Sequence, residues 1–173
     1  RASWAPAGSG LAVELASLAF ENADIAGNAG AQFRTLPEST EKSIGWIDLN
    51  GRITRANLAR GADYTPNPTH PTRVWLDRAV TSGRAEDARF EAKGDLWHFP
   101  FAGGKEGKFL VQGKIAEGTL KYLPDWPSID RIKGDFEFAG NRMQIRAEDG
   151  FILASRVSRT VAVIPDFGAK PPR

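Results

Sequence analysis

The sequence has no cysteine among its 173 residues, a single methionine and two histidines. Without cysteine there is no disulfide, no thiolate metal site and no cysteine nucleophile. The histidines, His70 in a proline-rich stretch and His98 in an aromatic one, are too far apart and too few to make a zinc set. Neither has a recognisable nucleophile to serve as its partner. Charge of one sign is also lacking: 23 Lys and Arg face 21 Asp and Glu, so the pI of about 9.1 reflects a small surplus. The basic residues are scattered, without the block that a nucleic-acid footprint needs. Long apolar runs are missing as well. The most apolar early run, Leu11–Phe20, is short and interrupted by Glu14, and neither a membrane-spanning segment nor a signal peptide is legible. The chain begins at Arg1 without an initiator methionine, and we read it as a piece of a longer protein forming one segment over residues 1–173.

What is present is alternation. From Gly107 to Ile164 the chain is almost entirely strand-like. Phe109, Val111 and Ile115 share one face. Ile132, Phe136 and Phe138 share another, opposite Lys133, Asp135 and Glu137. Met143, Ile145 and Ala147 alternate with Gln144, Arg146 and Glu148. A period of two describes a sheet with one apolar and one polar face. The 18 glycines and 11 prolines suit a turn-rich β protein.

Upstream, Arg1–Gly10 reads as a loose lead-in and Leu11–Leu18 as a strand. Phe20–Ile25 and Gly30–Thr35 read as two more, separated by a turn over Gly27–Gly30. Leu36–Ser43 is a polar connection. Gly45–Ala59 reads as a hairpin turning at Asn50-Gly51, a strong local turn signal. After a Pro66–Pro71 loop comes one helix over about 71–81, with Pro71 at its start and Gly83 beyond its end. Its stripe of Trp75, Leu76, Ala79 and Val80 must dock on the sheet, because so short a helix is unstable alone. Arg84–Gly94 resumes the strands, Leu96–Phe101 reads as a short aromatic strand, Ala102–Glu106 as a turn and Pro165–Arg173 as a frayed exit.

An internal repeat is visible. Gly51–Leu58, Gly83–Phe90 and Gly113–Leu120 share the order Gly, base, two variable residues, polar, small, polar, then Leu or Phe, with starts 32 and 30 residues apart. Within each copy the apolar parity slips by one residue, which would flip the face. A bulge or bend is the simplest repair, and it also curves the strand. Three such copies point to a bent sheet built from similar units.

The carboxylates Glu86-Asp87, Asp95, Asp125, Asp130, Asp135 and Glu148-Asp149 fall on polar strand faces or in turns and read as solvated surface. The glycine pairs lack phosphate-loop spacing. Trp97, Phe99, Phe101 and Phe109 near Lys105 and Lys108 resemble part of a single-strand nucleic-acid platform, but the charge balance supplies no electrostatic stripe. The apolar face leaves two readings open: half of a closed β-sandwich core, or the floor of a curled, open trough.

The tract Gly113–Gly140, with its Tyr122-Leu123-Pro124-Asp125-Trp126-Pro127 break and Gly134-Asp135-Phe136-Glu137-Phe138 strand, resembles the AsmA-like proteins of the YhdP type. Tyr64-Thr65-Pro66, Trp75-Leu76, Thr81-Ser82-Gly83-Arg84 and Phe99-Pro100-Phe101 stand in that family's order, as do Gly150 and Val161–Asp166. Thr65 stands where the family has an apolar residue. The resemblance covers about Gly45 to Asp166. It implies a bridge-like lipid transporter of the Gram-negative envelope: a periplasmic β-groove passing phospholipids toward the outer membrane. It also implies that the parent protein is held in the inner membrane by an anchor outside this segment.

The expectation is therefore a mainly β fold, a bent antiparallel sheet forming an elongated groove with one short helix. Its partner would be phospholipid or another acyl-chain lipid. An acyl chain of roughly sixteen carbons costs on the order of 10 kcal/mol to hold in water, at about 0.8 kcal/mol per methylene, so a carrier must shield it throughout. Some ten strands would give roughly 45–50 Å of trough along the stacking direction. Phe109, Val111, Ile115, Leu120, Phe136, Phe138, Met143, Ile145, Val161 and Val163 are the candidate lining. Trp126 is expected to be a buried corner. No catalytic residue, metal, cofactor or nucleic acid is implied. The alternative is a sandwich acting as a scaffold or protein-interaction module. Raw strand edges at both ends of such a segment favour self-association.

Overall fold

The computed structural model describes residues 2–7, 10–35, 44–65 and 70–169. The described chain forms one nine-stranded sheet in which every strand is antiparallel to its sequence neighbour. The strands are β1 (Ala2–Ala7), β2 (Gly10–Glu21), β3 (Ile25–Arg34), β4 (Trp46–Asn57), β5 (Val80–Asp95), β6 (Gly107–Leu120), β7 (Ile129–Ala139), β8 (Arg142–Ile152) and β9 (Ser155–Ile164). No second sheet faces this one among the described residues, so the closed sandwich is not the architecture. Eight strand spacings of about 4.8 Å give a sheet roughly 38 Å wide, somewhat shorter than ten strands would make.

The early part of the chain is simpler than its glycines suggest. The lead-in is strand β1. Phe20 and Gly27–Gly30 lie inside two continuous strands, β2 and β3, and the reversal between them falls at Asn22–Asp24, where the Asn22 side chain accepts from the N–H groups of Asp24 (2.8 Å) and Ile25 (2.9 Å). Asn50-Gly51 is not a turn either. It sits mid-strand in β4, and Gly51 is opposite Phe90, whose ring occupies the space that a Cβ at residue 51 would need. The missing side chain there admits an aromatic ring from the next strand. Leu36–Ser43, expected to be a polar connection, lies outside the described residues, as do residues 66–69 of the expected proline-rich loop.

The irregularities expected within the repeat are present in all three copies. In the first, the β3–β4 register shifts opposite Thr54. In the second, β5 bulges between Glu86 and Arg89, with Asp87 in the left-handed region at φ 49°. In the third, β6 bulges between Ile115 and Gly118, with Glu117 at φ 56°. Each bulge bends its strand and restores the apolar residues to one face.

A 3-10 turn (Leu58–Tyr64) and helix α1 (Pro71–Ala79) join β4 to β5. Pro71 occupies the first turn, where its missing N–H costs nothing, and His70 Nδ1 accepts the Thr72 N–H at 3.3 Å. The helix stops at Ala79, short of the expected end, because the chain passes directly into β5. The Ala79 carbonyl already accepts from the Lys121 N–H across the sheet (2.7 Å). Gly83 is thus a β5 residue. Leu96–Phe101, expected as a strand, is a 3-10 turn (Leu96–His98) followed by a cis Phe99–Pro100 bond and Phe101 at φ 60°. Phe101 is buried at this end of β5, with its ring filling the space above Gly94 and Gly107.

Candidate functional site: an apolar trough

Read across the sheet, successive strands place Leu18, Ala29, Gly51, Phe90, Val111, Phe138, Met143 and Ile164 in one row. A parallel row runs through Phe20, Gly27 and Ile53 to Ala88, continues at Gly113 beside it, and reaches Phe136, Ile145 and Ala162. Three rings of these rows lie over a facing glycine: Phe20 over Gly27, Phe90 over Gly51 and Phe136 over Gly113. The result is an uninterrupted apolar floor from β2 to β9.

The opposite face is built by the same register and is charged. Arg55, Glu86, Lys114, Asp135 and Arg146 stand opposite one another on five successive strands, alternating in sign. Opposite charges in directly facing positions contribute roughly 0.2–1 kcal/mol each. Lys93–Asp48 (2.7 Å), Lys108–Glu91 (2.6 Å) and Arg55–Glu21 (3.1 Å) add pairs on the same side, and Arg52 pairs with Asp87.

The bent strands bring their two ends to a common cavity of about 480 Å³, within the roughly 300–1,000 Å³ typical of sites that enclose a small ligand. Its floor is Ile53, Ala88, Phe90, Val111, Ile115 and Phe136. One lip is helical, with Tyr64, Thr65, His70, Thr72, Trp75 and Leu76. The other is aromatic, with Phe99, Pro100 and Phe109. Phe99 packs edge-on against Phe101 (5.8 Å) and Phe109 (5.0 Å), which holds that lip in place.

Seven of the ten expected lining residues meet here: Phe109, Val111, Ile115, Leu120, Phe136, Phe138 and Ile145. The other three are placed elsewhere. Met143 is on the floor but fully covered, at 0% exposure. Val161 faces outward opposite Arg146 and is 55% exposed; Val163 is opposite Gln144 on the same outer face. The inward residues of β9 are Ala162 and Ile164, which pack against the core. Arg159, left-handed at φ 51°, lies just upstream and shifts the parity that the preceding strands suggest. The sequence reading also missed Phe90, which is half-buried in the floor; its position after the bulge at Asp87 was the available signal.

Toward β9 the trough is filled. Trp75 meets Phe167 (5.5 Å) and Tyr122 (6.5 Å), Phe167 stacks on Phe138 (6.5 Å, 10°), and the Tyr122 hydroxyl donates to the Val163 carbonyl (3.0 Å). Phe167 is therefore packed, not part of a frayed exit. Trp126, expected to be the buried corner of the Trp-Pro break, is 62% exposed, and Tyr122 does the anchoring instead.

The histidines serve local structure. His70 caps α1, and His98 Nδ1 lies 2.9 Å from Glu106 in the exposed turn before β6. Among the described residues no three His, Asp or Glu side chains group as metal ligands, and no helix is long and apolar enough to cross a membrane.

A single open sheet with a charged back, an apolar floor and two unlike lips defines a β-groove. The family described as YhdP protein matches residues 1–173, and the chain belongs to that family. No curated protein and no solved structure matches it.

Proposed function

We propose that the chain is a lipid-bearing segment of an envelope protein, holding phospholipid acyl chains on its apolar floor as they pass between the inner and outer membranes. The observation that carries this reading is the 480 Å³ cavity, whose floor residues Ile53, Ala88, Phe90, Val111, Ile115 and Phe136 come from successive strands and are all apolar, while Glu91 beside them gives its carboxylate to Lys108. Membership of the YhdP family supports it. Each methylene withdrawn from water contributes about 0.8 kcal/mol, so a floor several strands wide holds a chain by area alone. No bond is made or broken, and the segment acts by binding rather than by catalysis. The charged back keeps the other face in water, which suits a periplasmic segment whose parent is anchored elsewhere in the inner membrane.

Native mass spectrometry of the chain purified without detergent tests this. The expected result is phospholipid bound at about one molecule per chain, displaceable by a fluorescent fatty-acid probe. A lipid-free chain that also binds no probe would overturn the reading and leave a scaffold or protein-interaction module in its place.

A further inference from the structure

The two lips of the trough differ in chemistry. Most polar residues at the cavity wall lie on the helical side, Asn57, Tyr64, Thr65, His70 and Thr72, with Ser82 and Thr119 at the adjoining ends of β5 and β6; Glu91, toward the other lip, gives its carboxylate to Lys108 (2.6 Å). The facing lip presents Phe99 and Pro100. We propose that the helical lip carries the polar head of the bound amphiphile and holds it by neutral hydrogen bonding, without a cationic clamp, while the aromatic lip faces only hydrocarbon. This deepens the lipid-binding reading and rests on it.

Two observations carry the assignment. First, a phosphate or glycerol oxygen brought against Phe99 and Pro100 would lose water without gaining a donor, a desolvation cost with no return. Against the helical lip it meets the Thr72 hydroxyl, the Nε2 side of His70, whose Nδ1 caps α1, and the Tyr64 hydroxyl, which exchanges its bond to Asn22 (3.1 Å) for one to the head; the Thr65 hydroxyl is kept by the Ala62 carbonyl. Second, that lip has cations, but they are matched by acids. Arg60 pairs with Asp63 (2.8 Å) and Asp24 (3.7 Å), and Arg73 lies 3.8 Å from Asp63 while donating to the Thr65 carbonyl (3.2 Å). A side-chain site that selects anions presents unopposed Arg, which can bind two oxygens at once, or Lys as a point charge. Arg78 follows Asp77 on the exposed part of α1, so the described residues around this mouth set three arginines against three aspartates, and the head is recognised as a hydrogen-bonding group whose net charge matters little.

The test uses two phospholipid probes on the purified chain, one with a photoreactive diazirine in the head and one with it at the end of an acyl chain. Cross-linked peptides are mapped by mass spectrometry. Head-labelled adducts are expected on residues 58–65 and 70–76, about tenfold over residues 96–109, a ratio equivalent to about 1.4 kcal/mol. Tail-labelled adducts are expected on the floor strands. Head-labelled adducts on the aromatic lip, or equally on both, overturn the assignment even though lipid is bound; absence of adducts from both probes strikes the lipid-binding reading itself. In competition, phosphatidylethanolamine and phosphatidylglycerol are expected to displace a probe within about threefold of each other at low salt, where exposed charge effects are largest. A preference of about tenfold or more for the anionic lipid overturns the neutral mouth. The double variant Tyr64→Phe, Thr72→Val should weaken phospholipid binding severalfold and leave binding of a long-chain alkane unchanged; equal loss of both contradicts a polar role.

Discussion

Strands β5 to β8 and strands β1 to β4 obey the same alternation, yet their floors end in different surroundings. Ala85, Ala88, Ile115, Leu120, Ile132, Phe136, Met143, Ile145 and Ala147, all on β5–β8, are buried, while no described side chain of β1–β4 reaches that burial. The cause is what lies above each half. Helix α1 and the Trp75–Tyr122–Phe167 cluster cover the second half, and among the described residues no comparable cluster sits over the first. Alternation decides which way a side chain points. Burial depends on the covering elements, and one polypeptide can use the same pattern for a floor roofed by α1 and the aromatic cluster at one end of a sheet and for a floor left exposed at the other.

The largest effect that would break this contrast is truncation of the floor. Met143→Ala is expected to cost about 2–5 kcal/mol, as for other buried large-to-small changes. Leu18→Ala, at a position 45% exposed in the same row, should cost less than about 1 kcal/mol. Urea denaturation of both variants checks this, and similar losses would mean that β1–β4 is packed in solution.

Backbone closeness provides the next test. A side chain at Gly134 would run into the Arg146 carbonyl on β8, whereas nothing lies within 4 Å of a Cβ added at Gly61 in the turn before α1. Gly134→Ala should destabilise by roughly 1–3 kcal/mol through forced backbone shifts. Gly61→Ala should be neutral or mildly stabilising, within about 1 kcal/mol, because it restricts the unfolded chain. Thermal melts of both variants separate the two cases.

A smaller effect sharpens the role of the cover. Tyr122→Phe removes the hydrogen bond to Val163 and should cost about 0.5–1.5 kcal/mol. Probe binding at the β2–β6 side of the floor should stay unchanged. If binding rises or falls with this substitution, the covered and open halves are coupled.

The smallest effect lies on the outer face. Arg156 hydrogen-bonds Asp149 at 2.8 and 3.1 Å and, chiefly through that bond, holds its carboxyl below the ordinary value. A depressed carboxyl stabilises the fold above its unfolded pKa, and this contribution is lost as pH falls through the folded one. The pair is exposed, so the acid-side change should be slight. A carbon-detected NMR titration of Asp149 should show the depression, and Arg156→Gln should remove it.

Much of the groove was legible in the sequence. The faces of β6, β7 and β8 follow from Phe109, Val111 and Ile115, from Ile132, Phe136 and Phe138, and from Met143, Ile145 and Ala147, because a polar residue separates most of the apolar ones. The bulges followed from the slipped parity of the repeat. The β9 face was not legible: Val161, Ala162, Val163 and Ile164 form a run without polar punctuation, and the left-handed Arg159 resets its phase. Asn50-Gly51 misled because a glycine that makes room for Phe90 looks, in one dimension, like a glycine that makes a turn. The aromatic cover was invisible for a different reason. Trp75, Tyr122 and Phe167 come from three distant places, and only the bend of the sheet brings them together.

The central claim, that an acyl chain lies on the floor beneath α1, is tested most directly by fluorescence quenching with a brominated phospholipid. Two single-tryptophan versions of the chain are compared, one keeping Trp75 at the cavity wall and one keeping Trp126 in the exposed loop between β6 and β7. The account requires saturable quenching of Trp75 by bromine carried near the end of the acyl chain, with Trp126 unaffected. Equal quenching of both, or none at Trp75 while lipid is bound, would contradict it.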